Sequence, residues 1–121
     1  MPASNAEFLL AEIADAVREY LASGATRIIY LSQFPLSEED AVTLQHRLGN
    51  GRVWIESRSG ERTVWRETSI PSVWWGEYYN GPVVQLQTVE IAPVPDLLAA
   101  PVEDVQEGLQ KFEDRLCTKP E

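Results

Sequence analysis

The sequence predicts an α+β domain: a mostly antiparallel sheet of about five strands with helices packed on one main face, in the order α-β-α-β-β-β-β-α. Three observations predict it. Apolar residues recur at helical spacing near both ends of the chain. Between them, residues 52 to 91 hold four segments rich in β-branched and aromatic side chains. Before the last of these stands Asn80-Gly81, the strongest short hairpin signal, since both central positions of a type I′ turn need positive φ.

Residues 5 to 22 read as an amphipathic helix, with Leu9, Ile13, Ala16, Val17, Tyr20 and Leu21 at helical spacing. Gly24 follows where a C-cap glycine belongs. The run "RIIYL" (27 to 31) is a short buried strand. "FPLSEED" then opens a second helix, with Ser37 as N-cap. Glu38, Glu39 and Asp40 fill its first turn, where the macrodipole favours negative charge. Val42, Leu44 and Leu48 supply its apolar face, and "GNG" (49 to 51) stops it. The four strands are "RVWIES", "RTVWRET", "SVWWGEYY" and "VVQLQTVEI". "APVPD" (92 to 96) ends the sheet. The last helix runs from about Pro101 to Leu116, with Val102, Val105, Leu109, Phe112 and Leu116 on one stripe; its Gly108 costs about 1 kcal/mol relative to Ala. Residues 1–4 and 117–121 are expected to fray, and the whole of 1–121 is read as one domain.

Two-residue hairpin loops would set the registers. A loop at Asn80-Gly81 places Trp75 opposite Leu86 and Trp74 opposite Gln87. A loop at Ser59-Gly60 places Trp54 opposite Trp65 and Ile55 opposite Val64. Val53, Ile55 and Val64 then form a core face. Trp54 and Trp65 share the other face with Glu56 and Glu67, leaving it amphipathic and at least partly exposed.

Adjacent Trp74 and Trp75 point to opposite sides of their strand, so both sides of the sheet need cover. Core packing against helices accounts for one side. A protein-binding or self-association face, where Trp and Tyr concentrate, is the alternative for the other.

The formal net charge of −9 argues against nucleic acid, whose phosphates are bound by Lys and Arg. It favours solubility and a basic partner. No apolar run reaches the ~20 residues of a membrane span. The N-terminal residues lack the basic start of a signal peptide, so the expected compartment is the cytoplasm. One cysteine, Cys117, and one histidine, His46, are too few soft ligands for a zinc or iron–sulfur site held by one chain. No metal or other cofactor is expected.

Catalytic patterns are missing. The chain has no GxSxG, GxxxxGK[ST], HExxH or CxxC, and His46 lies mid-helix without an evident nucleophile. Glu77 and Glu90 sit on strands among aromatic and apolar residues. They would do acid–base work only if a pocket joined them. The glycine–arginine pairings "NGR" and "SRSGER" read as hairpin turns rather than phosphate loops.

Four segments in this order, "IIYLSQFPLSEEDAVTL", "LGNGRVWIES", "IPSVWWGEYYNG" and "VEIAPVPDLLAAPVEDV", resemble the C-terminal domain of the HupH/HyaF-type hydrogenase expression/formation proteins. The resemblance covers about residues 26 to 116. It implies an accessory protein, or chaperone, for maturation of an uptake [NiFe] hydrogenase. Such a protein acts in the cytoplasm on the iron–sulfur small subunit before twin-arginine export. It implies no catalytic residues. Typical members are about twice this length, so the chain is either a short member or a C-terminal portion.

The partners expected are the small-subunit precursor, other maturation factors and a second copy of the chain. The candidate contact residues are Trp54, Trp65 and Tyr78 for an apolar segment, and Glu38, Glu39 and Asp40 for a basic one. A self-associating module of unrelated role, and an enzyme using Glu77 or Glu90, are the competing readings.

Overall fold

The computed structural model describes residues 4–117 and bears out the fold class. Helix α1 (Asn5–Ser23) is followed by β1 (Arg27–Tyr30), α2 (Glu38–Leu48), β2 (Trp54–Ser57), β3 (Thr63–Glu67), β4 (Val73–Asn80), β5 (Val83–Ile91) and α3 (Val102–Cys117). The sheet is antiparallel throughout, with strand order β1-β5-β4-β3-β2. Apart from Ser4 and Cys117, the ends expected to fray lie outside the described residues.

Local chemistry sets the helix ends. Ser4 accepts from the Glu7 amide and caps α1, and Gly24 takes φ 78° just past its end. At α2, Ser37 accepts from the Asp40 amide while Asp40 accepts from the Ser37 amide, a reciprocal capping box.

Helices α1 and α2 cover one face of the sheet. Leu9, Ile13 and Ala16 of α1, with Leu44 and Leu48 of α2, pack in one core with Ile29, Val73, Trp75, Val89 and Ile91. Leu21 and Val42, counted on the apolar stripes of their helices, lie outside this core and are exposed.

Both hairpin registers differ from those expected. Asn80 pairs with Val83, so the loop is Gly81-Pro82, and the register shifts again between Tyr78 and Tyr79. Trp75 therefore lies opposite Val89, and Trp74 opposite Glu90, rather than Leu86 and Gln87. The reason is Pro82. A loop at Asn80-Gly81 would need Pro82 in the closing pair, and proline has no N–H to give the ladder. Gly81 alone takes positive φ there.

The β2–β3 loop is longer than two residues, since Ser57 pairs with Thr63. Glu56 holds its shape by ion-pairing with Arg58 and Arg62. The Arg62 hydrogen bond above all keeps the Glu56 carboxyl below its ordinary range. The result is a one-residue slip: Trp54 lies opposite Arg66 and Ile55 opposite Trp65. A one-residue slip turns every side chain to the other face. Trp54 and Trp65 are therefore on opposite faces of the sheet. Trp54 joins Arg66 and Trp75 on the helix side, and Val64 joins it there instead of Ile55.

Candidate functional site

The face turned away from α1 and α2 is closed by a buried polar hub. Strand register lines up Ile55, Trp65, Gly76 and Thr88 across it, with Tyr78, Trp74 and Glu90 in neighbouring rows. Glu90 is 1% exposed. Its Oε2 accepts from Trp65 Nε1 at 3.0 Å, Tyr78 Oη at 2.6 Å and Thr88 Oγ1 at 2.7 Å. Its Oε1 is buried with no hydrogen-bond partner. The rings of Trp65 and Tyr78 meet edge to face, centroids 6.0 Å apart.

Burial, then the hydrogen bond to Glu90 and the nearby negative charge, push the Tyr78 phenol well above its ordinary pKa. Gly76 makes room for the hub, because a Cβ there would collide with the Thr88 hydroxyl and crowd Glu90 Oε2 at 2.8 Å.

The chain beyond β5 returns to this face. Trp74 Nε1 donates to the Ala92 carbonyl at 3.0 Å, and Pro95 is fully buried. This answers why both sides of the sheet carry tryptophan. Trp75 enters the helix-side core, while Trp74 anchors the segment that follows β5.

The expected aromatic contact surface is therefore corrected. Trp65 is 0% exposed and Tyr78 is half-buried, so Trp65 offers no surface to a partner. Trp54 is 57% exposed, at the β2 edge. The carboxylate pair weighed for catalysis is also separated. Glu90 lies in the buried hub, whereas Glu77 is on the helix-side face, where it meets Arg66 at 3.6 Å and Gln87 at 3.2 Å.

Glu38, Glu39 and Asp40 stand at the start of α2. Asp40 is engaged in the capping box, and Glu38 and Glu39 are exposed. They do not adjoin Trp54, because α2 starts beside β5 and Trp54 is on β2, three strands away. At ~4.8 Å per strand this is about 14 Å across the sheet.

Beside the acids lies a feature that periodicity did not reveal. A groove of about 500 Å³ runs between the start of α2 and β5, lined by apolar Phe34, Leu36 and Val84 and polar Ser32, Gln85 and Gln87, with Glu38 on its wall. Strand β1 pairs with β5 only over Thr88–Ile91, and after Tyr30 the chain turns into a 3-10 helix, Leu31–Gln33. Residues 83 to 87 of β5 thus have β4 on one side and no strand on the other. Such an edge accepts an extended peptide as an added strand. The signal was present in the sequence as the length difference between "RIIYL" and "VVQLQTVEI", but only pairing shows which half of β5 is left over.

Among the described residues no helix is long and apolar enough to cross a membrane, and no three His, Cys, Asp or Glu side chains are grouped as metal ligands.

Known proteins share this architecture. A solved structure titled hydrogenase expression protein HupH, from Thiobacillus denitrificans ATCC 25259, superposes with a TM-score of 0.89 at 34% identity, covering 94% of this chain and 96% of that one. The hydrogenase expression/formation protein HupH of Rhodobacter capsulatus is 33% identical over 113 residues, 93% of this chain and 41% of its own length. HupH of Rhizobium leguminosarum bv. viciae is 31% identical over 113 residues, 93% of this chain and 40% of its own. The chain thus spans about two fifths of the curated relatives it matches. Residues 3–118 match the family described as HupH hydrogenase expression protein, C-terminal conserved region, and with the shared fold this shows that the chain belongs to the HupH family.

Proposed function

We propose that the protein is a non-catalytic accessory factor in hydrogenase maturation, which binds the precursor of the iron–sulfur small subunit in the cytoplasm before twin-arginine export. Support for the hydrogenase pathway comes from relatives that are named as hydrogenase expression/formation proteins. The observation that carries the binding mode is the groove beside β5. It combines an open strand edge at residues 83–87, apolar side chains of Phe34, Leu36 and Val84, and acids at the start of α2. A twin-arginine signal is a basic segment followed by an apolar one, and this surface offers acid beside apolar in one place. Main-chain hydrogen bonds to β5 would supply affinity, and the apolar walls would select the side chains.

The separation of Glu77 from Glu90 on opposite faces speaks against the carboxylate-enzyme reading. The test is calorimetric titration of the protein with precursor and with small subunit lacking its signal. Binding of precursor alone supports the reading. Equal binding of the two removes the signal from it, and binding of neither defeats it.

A further inference from the structure

Helix α3 is unlike the rest of the fold. Every described residue in it is exposed. Its five large apolar residues, Val102, Val105, Leu109, Phe112 and Leu116, are between 54% and 69% exposed. They follow one another at steps of three, four, three and four residues, the alternating spacing of a coiled-coil seam. Helices of about 12–15 residues are marginal alone in water. This one has sixteen and carries Gly108 at its middle. A superposition with a TM-score of 0.89 over 94% of the chain leaves too little room for all sixteen to lie elsewhere in the solved relative. An apolar stripe left this exposed needs something else to cover it.

We propose that α3 pairs with α3 of a second copy of this chain, antiparallel, to form a dimer. The seam itself argues for a like partner. Set antiparallel, Leu109 meets Phe112 of the other copy, and Val105 meets Leu116, so large and medium side chains alternate across the axis. The flanking positions then bring Gln106 beside Glu113 and Gly108 beside Arg115, with no like charges facing across the seam. The first turn of α3 is acidic, at Glu103 and Asp104, and its last turn holds one base, Arg115, and one acid, Asp114. Antiparallel helices bring those opposite ends, and the opposed macrodipoles, together.

Net charge decides against the parallel arrangement. Each chain carries −9, and parallel helices would hold the two acidic bodies side by side, whereas antiparallel helices carry them to opposite ends. The seam is short of the ~800 Å² per partner of a standard interface. The dimer is therefore a weak one that dissociates on dilution. This inference is independent of the hydrogenase partner proposed above.

The test is sedimentation equilibrium over a concentration series, on the wild-type chain and on Leu109→Asp. The wild type should show a monomer–dimer equilibrium that strengthens with added salt, as repulsion between the acidic bodies is screened. Leu109→Asp should weaken association by more than about tenfold, since a charge would be buried in the seam. At concentrations where both are monomeric its urea unfolding midpoint should stay that of the wild type, because Leu109 lies outside the core. A wild type that is monomeric at its highest soluble concentration, or a Leu109→Asp chain that dimerises normally, overturns the proposal.

Orientation is read by disulfide cross-linking in a Cys117→Ser background. Val105→Cys with Leu116→Cys should cross-link 105 to 116 between copies. Leu116→Cys alone should not cross-link, and if it does, the antiparallel arrangement is wrong.

Discussion

Removing the Glu90 carboxylate leaves three donors without their acceptor at once. Trp65 Nε1, Tyr78 Oη and Thr88 Oγ1 all end on its Oε2, and each buried group left unpaired costs about 1–3 kcal/mol. With Trp65 and Thr88 buried and Tyr78 half-buried, Glu90→Ala is therefore expected to lower stability by at least about 2 kcal/mol in urea unfolding followed by tryptophan fluorescence. The same hub has a pH signature. The Tyr78 phenol is pushed up by burial first and by Glu90 second, so the folded chain keeps its proton where the unfolded chain loses it. A raised folded-state pKa stabilises in full below the unfolded value, about 10 for tyrosine, and that contribution is lost progressively as pH rises above it. Between about pH 9 and 11 the wild-type urea midpoint should fall more steeply than that of Tyr78→Phe. Equal slopes would mean that Tyr78 titrates alike in both states. None of this was legible from Trp65 itself. In sequence it stands in "RTVWRET" as an ordinary strand aromatic, and its partner Glu90 is on another strand, two pairings away.

At the scale of elements, the ends of helices were legible because the residues that make them are neighbours. Ser37 and Asp40 carry the α2 cap between them, and Gly24 ends α1 by its own backbone freedom. Ser37→Ala should cost about 1 kcal/mol, read as a lowered thermal midpoint with the fold retained. Hairpins were legible only as existing. Their registers depend on loop length to a single residue, and two local facts outweighed the dipeptide signal: the missing N–H of Pro82 and the Glu56–Arg58–Arg62 ion pairs. The consequence is measurable at the two tryptophans once assigned to a shared face. Trp65→Ser should cost about 3–5 kcal/mol, as emptying a large core site does, whereas Trp54→Ser should stay within about 1 kcal/mol. Comparable losses for both would restore the register in which they face each other. The last helix shows the remaining limit. Its apolar stripe was plain in the sequence, but a stripe says only that something covers it, not that the cover comes from the same chain.

At the scale of the whole molecule, the proposed function has charge and apolar surface divide the work of recognition. The acids at Glu38 and Glu39 are exposed, so each pairing with a basic segment contributes only ~0–1 kcal/mol and is screened within about 8–10 Å. Contacts with the groove walls and the free edge of β5 carry no such salt dependence. The acids should therefore govern how fast a precursor arrives, and the groove how long it stays. Two variants separate these roles. Replacing Glu38 and Glu39 together by Gln should slow association and flatten its dependence on salt, with the dissociation rate nearly unchanged. Val84 lines the groove, and Val84→Asp should raise the dissociation rate by more than about tenfold while the association rate keeps its salt dependence. Stopped-flow binding of fluorescently labelled precursor at two ionic strengths measures both rates. If Val84→Asp leaves the dissociation rate unchanged, the groove beside β5 is not where the precursor binds, and the edge of residues 83–87 serves some other contact.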